Sequence, residues 1–268
     1  MDPVVRLLAF TALAGLAFVP LEWLYGERRA SRRGRLTDLG FATIGEWLTA
    51  VGIAVVVGGL LTTLDGFARE ESLWGVIDDR MLRRSLDVVV GLLIFEVMSY
   101  AYHRAAHRVP ALWRLHQVHH SAESMDWLAS FRQHPLEIVL MTLVQNAPLV
   151  LLGIPLGAHA TVLLLLRLNT VFVHANLKIP VGPWSLLLAT PRFHHRHHQR
   201  DGAVRNYASL FPWIDRLFGT YEGREAGPVG LPTATPRGFL GLLAFPFTRA
   251  AGEGAASVPP AIDAAPRR

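Results

Sequence analysis

The side chains best equipped for chemistry in this sequence are histidines, and they recur at a fixed spacing. In TPRFHHRHHQRD, His194, His197 and His198 stand at i, i+3 and i+4. On a helix that spacing sets three imidazoles on adjoining parts of one face. WRLHQVHH repeats it with His116, His119 and His120, and HRAAH places His103 and His107 four residues apart. Imidazole binds iron, zinc, copper and nickel. Three such clusters in one chain point to a metal centre rather than to scattered surface or core histidines. They supply eight imidazoles, and His174 is a ninth. One ion takes roughly four to six ligands, so this set matches two ions.

Composition narrows the chemistry. The chain has no cysteine, which excludes disulfides, iron–sulfur clusters, thiolate-ligated haem and zinc fingers. A metal here must take nitrogen and oxygen ligands. No histidine has a glutamate three residues before it, so the Glu-x-x-His pairs of soluble di-iron bundles are absent, as is His-Glu-x-x-His. A pair of metals held mainly by histidine at the mouth of a membrane bundle suits oxygen activation, with the protein aiming a substrate carbon at the centre.

The elements that position these ligands read as membrane helices. Of 268 residues, 51% are hydrophobic and only 18% charged. The mean hydropathy is +0.30, too apolar for an ordinary soluble domain. The net charge is +5. Beside such long apolar runs, a basic excess fits a membrane surface better than nucleic acid. Candidate spans cover residues 4–24, 41–64, 86–102, 136–152 and 158–173, near the ~20 residues a bilayer requires. Residues 4–24 lack a small-residue cleavage site and read as the first membrane helix rather than a signal peptide. Pro148 is expected to kink the fourth span. Arg28, Arg29, Arg32, Arg33 and Arg35 follow the first span, which places that loop in the cytoplasm. The third and fifth spans then both end on the cytoplasmic side, which gathers all the clusters and His174 at one membrane face. The segment 65–85 reads as a loop on the opposite side. Residues 239–247 read as an interfacial stretch, and the segment from Ala250 as a disordered tail. Trp23, Trp47 and Trp113 read as interfacial anchors.

HRAAH, WRLHQVHHS, FRQHPLE, FVHANL, TPRFHHRHHQRD and DRLFGTY occur in that order over residues 88–222. Together they resemble the fatty acid hydroxylase superfamily, in its sterol desaturase branch. The resemblance implies an integral-membrane, non-haem oxygenase with two iron ions, acting on a lipid C–H bond by hydroxylation or desaturation. Carried over by motif, His103 and His107 match the first histidine box. His116, His119 and His120 match the second, and His194, His197 and His198 the third. His174 matches the isolated histidine after the last membrane hairpin. Glu96 stands where such proteins often carry aspartate. No electron-carrier domain is seen beside these motifs, so the expected partners are a lipid substrate, the bilayer and a separate electron-donor protein.

The expected fold class is all-α: an integral-membrane bundle of four to five helices with a cytoplasmic-side helical cap carrying the histidine boxes. The expected division is 1–85, N-terminal membrane helices; 86–225, the di-iron domain; and 226–268, an interfacial segment and tail. The preference for arginine over lysine, of which Lys178 is the sole example, points to a GC-rich bacterial source and hence a bacterial cytoplasmic membrane. Two other classes also use clustered histidines: a histidine-ligated membrane haem electron carrier, and a divalent-cation transporter. The first needs histidines facing across spans, the second polar ligands through the membrane's depth.

Other residues carry supporting expectations. His134 is read as fixing the tautomer of a ligand. Asp126 and Asp201 stand near the boxes and are candidates to accept a ligand's second N–H. His195 lies off the spacing and reads as solvated or as a supporting donor, and His159 as plain. Asn206 and Tyr207 read as structural. Glu96 lies seven residues before His103, and Arg167 seven before His174. Two helical turns put both charges ~10 Å from the histidines at equal depth. That predicts a Glu96–Arg167 pair, with Gln145 and Asn146 as hydrogen-bond partners.

Overall fold

The computed structural model describes residues 3–27, 34–65, 74–154 and 160–251. Helix α1 spans Pro3–Tyr25. A second long helix follows in three pieces: α2 (Arg35–Gly40), α3 (Glu46–Gly52) and α4 (Gly58–Asp65). The π-helical turns Phe41–Gly45 and Ile53–Val57 join them. Next come α5 (Arg80–Ala106), α6 (Pro110–His120) and a 3-10 turn at Trp127–Phe131. Then follow α7 (Pro135–Leu151), α8 (Ala160–His174), α9 (Pro191–His197), α10 (Pro212–Leu217) and α11 (Phe239–Ala244). The described residues contain no strand, only an isolated bridge between Gln199 and Val229.

Three stretches are long and apolar enough to cross a bilayer: Leu8–Tyr25, Arg35–Leu64 and Arg80–Ala106. Two shorter apolar helices, Pro135–Leu151 and Val162–His174, stand beside them. The architecture is therefore a multi-pass helical membrane bundle. The second helix begins six residues before the expected residue 41, and α5 six before residue 86. Charge had marked both starts as loop. At α5 the reason is a cap: the Asp79 carboxylate accepts from the amides of Met81 and Leu82 at 2.8 and 3.0 Å, and so satisfies two orphan donors of the first turn. The segment expected to be a loop to residue 85 is thus helical from Arg80. Residues 28–33, 66–73 and 155–159, including His159, and the tail from 252 lie outside the described residues.

The cap helices start where proline sets them. Pro110, Pro135, Pro191 and Pro212 each occupy the first helical position of α6, α7, α9 and α10. There the missing N–H costs nothing and φ is already helical. This fixes the phase of the histidines that follow in α6 and α9. Thr190 adds a side-chain cap, its Oγ1 accepting from the Phe193 amide at 3.2 Å.

Three apolar clusters bind cap to bundle. Ala14, Phe18 and Ala42 pack with Leu128, Phe131 and Val171. Tyr100 and Val173 pack with Phe193, Tyr207 and Ile214. Phe41 and Val118 pack with Leu242 and Phe245. Within the stretch 239–247, Leu242, Phe245 and Pro246 pack on protein while Leu240 and Phe247 are exposed. Polar ties reinforce the packing. Glu22 of α1 accepts from the amides of Trp127 and Asn176 at 2.7 and 2.9 Å. The buried Arg132 guanidinium meets Asp38 at 2.5 Å. Gly52 permits α3 to lie against α7, since a Cβ there would stand 2.7 Å from a Val139 methyl.

Candidate metal centre

Four elements deliver the nine histidines. His103 sits at the end of α5 and His107 caps it. His119 and His120 lie in the last turn of α6 with His116 one turn before, and His174 ends α8. His194 and His197 belong to α9, and His198 caps it. They converge into two groups, each with ligand atoms mutually within 4.8 Å: His103, His107, His116, His120 and His197; and His119, His174, His194 and His198. The groups adjoin, with the rings of His120 and His198 stacked at 4.3 Å.

The grouping cuts across the boxes. His119 and His120 go to different groups, as do His197 and His198. Successive residues on an α-helix point about 100° apart, so the third and second histidines of a box aim at different centres.

The hydrogen bonds fix which nitrogen is free. Nδ1 of His103, His119, His174 and His197 lies 2.7, 3.1, 2.7 and 2.8 Å from the carbonyls of Tyr207, Arg132, Thr170 and Arg205. A carbonyl only accepts, so each Nδ1 carries the proton and each Nε2 presents a bare lone pair. Yet Nε2 of His119 and His174 face each other at 3.1 Å. Two lone pairs at that distance repel unless a cation stands between them. The Nε2 atoms of His194 and His198 are likewise 3.1 Å apart, and those of His120 and His197 are 3.1 Å apart. Such spacing fits neighbouring positions around an ion with metal–nitrogen bonds of ~2.0–2.2 Å.

Burial keeps the rings in the form a metal needs. Desolvation pushes His119, His120, His194, His197 and His198 well below the usual imidazole range. It takes His116 down to about 3. All six are therefore neutral at physiological pH, with lone pairs available.

The supporting groups differ from those expected. His134 instead caps α7: its Nδ1 accepts from the Leu136 amide at 3.2 Å and its Nε2 meets the Leu243 carbonyl. Asp126 caps the turn after α6, taking the amides of Leu128 and Ala129, and pairs with Arg35 at 3.4 Å. Asp201 is exposed. Among the described residues none of the three hydrogen-bonds a histidine of the two groups; backbone carbonyls and Glu137 take that role, for His174 from its own helix at Thr170. His195 is buried rather than solvated, its Nε2 3.2 Å from the His174 carbonyl. Trp113 is no interfacial anchor. It is buried with its ring 5.0 Å from that of His107, whereas Trp23 and Trp47 are exposed.

The Glu96–Arg167 pair does not form. Glu96 is fully buried and accepts from the Leu210 amide at 2.8 Å. Arg167 pairs with Glu46 of α3. Equal depth along α5 and α8 did not give a shared facing direction. Gln145 donates to Ser99 Oγ at 2.8 Å and Asn146 to the Thr142 carbonyl at 2.7 Å, so neither bridges the charges.

Sequence reasoning missed two carboxylates of consequence. Glu137 of α7, within FRQHPLE, sets Oε1 2.5 Å from Nδ1 of His116, while its buried Oε2 has no hydrogen-bond partner among the described residues. The available signal was a charge at the start of an apolar helix, within the FRQHPLE motif. Asp215 was also missed. It is fully buried and accepts from the amides of Tyr207 and Ala208, both at 2.8 Å. It thereby holds the loop whose Tyr207 carbonyl orients His103.

A cavity of about 460 Å³ adjoins the imidazoles. His103, His116, His119, His174 and His194 line one part; Ile53, Phe95, Ile138, Met141, Leu163, Leu164 and Leu166 line another. The second long helix contributes to it as well as α5, α7 and α8. Leu163 and Leu164 also face outward from the bundle.

Comparisons with known proteins agree with this geometry. A family model described as fatty acid hydroxylase matches residues 88–220, which hold all nine histidines. The chain is 32% identical over 171 residues to the ornithine lipid hydroxylase OlsE of Rhizobium tropici, covering 62% of this chain and 51% of the relative. It is 35% identical over 128 residues to the alkylglycerol monooxygenase of Homo sapiens, covering 47% and 28%. To methylsterol monooxygenase 1 of Gallus gallus it is 36% identical over 135 residues, covering 48% and 43%. The chain thus spans about half or less of the length of these relatives. No solved structure matches it.

Proposed function

The chain belongs to the fatty acid hydroxylase and sterol desaturase superfamily, and from that premise we propose that it is a membrane-bound, non-haem di-iron oxygenase that hydroxylates or desaturates a lipid. The observation that carries this reading is the set of bare Nε2 lone pairs gathered in two groups beside a largely apolar cavity. The five-histidine group would hold one iron and the four-histidine group the other. Bound there, iron supplies activation of dioxygen toward an unactivated C–H bond, with electrons from a separate donor protein. The chain's own residues do the rest. Carbonyls of Tyr207, Arg132, Thr170 and Arg205 hold four imidazoles in one tautomer, and Glu137 turns His116. The apolar wall of Ile138, Met141 and Leu166 receives the lipid's hydrocarbon and excludes water.

The relatives act on an ornithine lipid, an alkylglycerol and a methylsterol, by their names. That supports a lipid substrate with a polar headgroup. We place the cap on the cytoplasmic side of a bacterial membrane, on the arginines after α1 and the arginine-rich composition. A haem carrier or a cation transporter is not favoured. The histidines converge four and five to a point, leaving no room for a porphyrin between them, and they sit at one end of the bundle. Purified protein should contain iron, and membranes of cells expressing it should gain a hydroxylated or desaturated lipid. His119→Ala and His197→Ala should abolish that product. Iron-free protein, or an unchanged lipid profile, would falsify the reading.

A further inference from the structure

The oxygenase reading accounts for the imidazoles and the apolar wall, but not for the ion pair that shares their cavity. Arg167 of α8 and Glu46 of α3 both line it. Their side chains are 42% and 18% exposed, on helices whose outer faces are apolar. Ionised groups in such surroundings are costly and mark functional positions. The Arg167 guanidinium has five N–H donors, and among the described residues it donates one hydrogen bond, to Glu46. It lies over the Phe10 ring at 4.9 Å, which holds it in place by a cation–π contact. Thr49, Gln145 and Thr142 add polar groups to the same wall. Seven residues separate Arg167 from His174, about 10 Å along the helix.

The two charges restrict what the wall accepts. A purely anionic group drawn to Arg167 would meet the Glu46 carboxylate, and a purely cationic group drawn to Glu46 would meet the guanidinium. At low dielectric that repulsion is strong. Only a group carrying both charges satisfies both side chains. We propose that Arg167 and Glu46 form a headgroup site that selects zwitterionic lipids, with an acidic oxygen on the guanidinium and an ammonium on the carboxylate. The inference rests on the lipid-oxygenase reading and names the substrate class of that same cavity. Both residues act on specificity, not on the reacting carbon.

The test is equilibrium binding of four amphiphiles to the full chain in phosphatidylglycerol nanodiscs, read by mass spectrometry of retained lipid. The probes are Nα-palmitoyl-lysine, its methyl ester as cation only, Nα-palmitoyl-norleucine as anion only, and palmitoyl lysophosphatidylethanolamine. At least about tenfold preference is expected for a zwitterion over both singly charged probes. Which zwitterion is retained tells carboxylate from phosphate. Arg167→Gln and Glu46→Gln should each abolish the preference. The double variant leaves no unpaired charge, so it should fold, keep its iron and still not discriminate. Equal retention of all probes, preference for a singly charged one, or wild-type discrimination by the double variant overturns the proposal. Because binding is read without turnover, selective binding with no oxidation faults the oxygenase reading instead.

Discussion

Glu137 shows how much one side chain can decide at this centre. Its Oε1 lies 2.5 Å from Nδ1 of His116, while the other fixed imidazoles rely on carbonyls. A group behind a ligand orients the ring and raises its basicity, and its loss typically costs about 10–100-fold in metal affinity. Glu137→Ala is therefore expected to lose iron to a chelator at concentrations that leave the parent loaded. Glu137→Gln keeps a carbonyl oxygen as acceptor and is expected to fall between the two. Equal iron retention in all three would remove Glu137 from the centre. The histidines also set a pH dependence. Burial lowers His116 to about 3 from 6.5, so below pH 6.5 the unfolded chain binds more protons than the folded one. Stability of iron-stripped protein is thus fully present above about pH 6.5 and declines as pH falls toward 3. Thermal unfolding across that window should show Tm falling with acidification, with a smaller slope in His116→Gln.

Among the elements, α3 and α7 approach closely enough to depend on an absent side chain. A Cβ at Gly52 would stand 2.7 Å from Val139, itself buried. Gly52→Ala is expected to destabilise by about 1–3 kcal/mol through overpacking, despite alanine's better helix propensity. Val139→Ala in the same chain should return part of that loss, because it removes the methyl in the way. Denaturation midpoints of the two single variants and the double would show it, and additive effects would contradict the contact. The three- and four-residue spacing inside each histidine box was legible in sequence, whereas the proline-led starts of α6 and α9 came only from the structure. The start of α5 was not legible either. Three arginines near it resembled a loop, whereas a capping aspartate outside the apolar run set the boundary.

At the scale of the molecule, the cavity of about 460 Å³ links the imidazoles to helix faces that look outward. Met141 lines it from α7 with Ile138. Met141→Trp should shorten the chain length oxidised while leaving iron content unchanged, as read by the product profile on a series of acyl chains. An unaltered profile would show that the acyl chain lies elsewhere.

The sequence by itself determined the set of histidines that converge and the helices that carry them. Spacing of three and four is a property of one helix, and apolar length is a property of one span; neither needs a partner. The helical membrane class and the family followed from these local patterns. Tertiary structure alone decided the partners. It divided the second and third histidine boxes between two groups and kept His103 and His107 together, because neighbouring residues of a helix diverge in direction while residues four apart do not. It gave Arg167 to Glu46 and Glu96 to the Leu210 amide, because register fixes depth but not which neighbour a face meets. It moved the support of the ligands from Asp126, Asp201 and His134 to backbone carbonyls and Glu137. Every backbone carbonyl is the same group in sequence, and only the path of the chain selects the one that meets an imidazole.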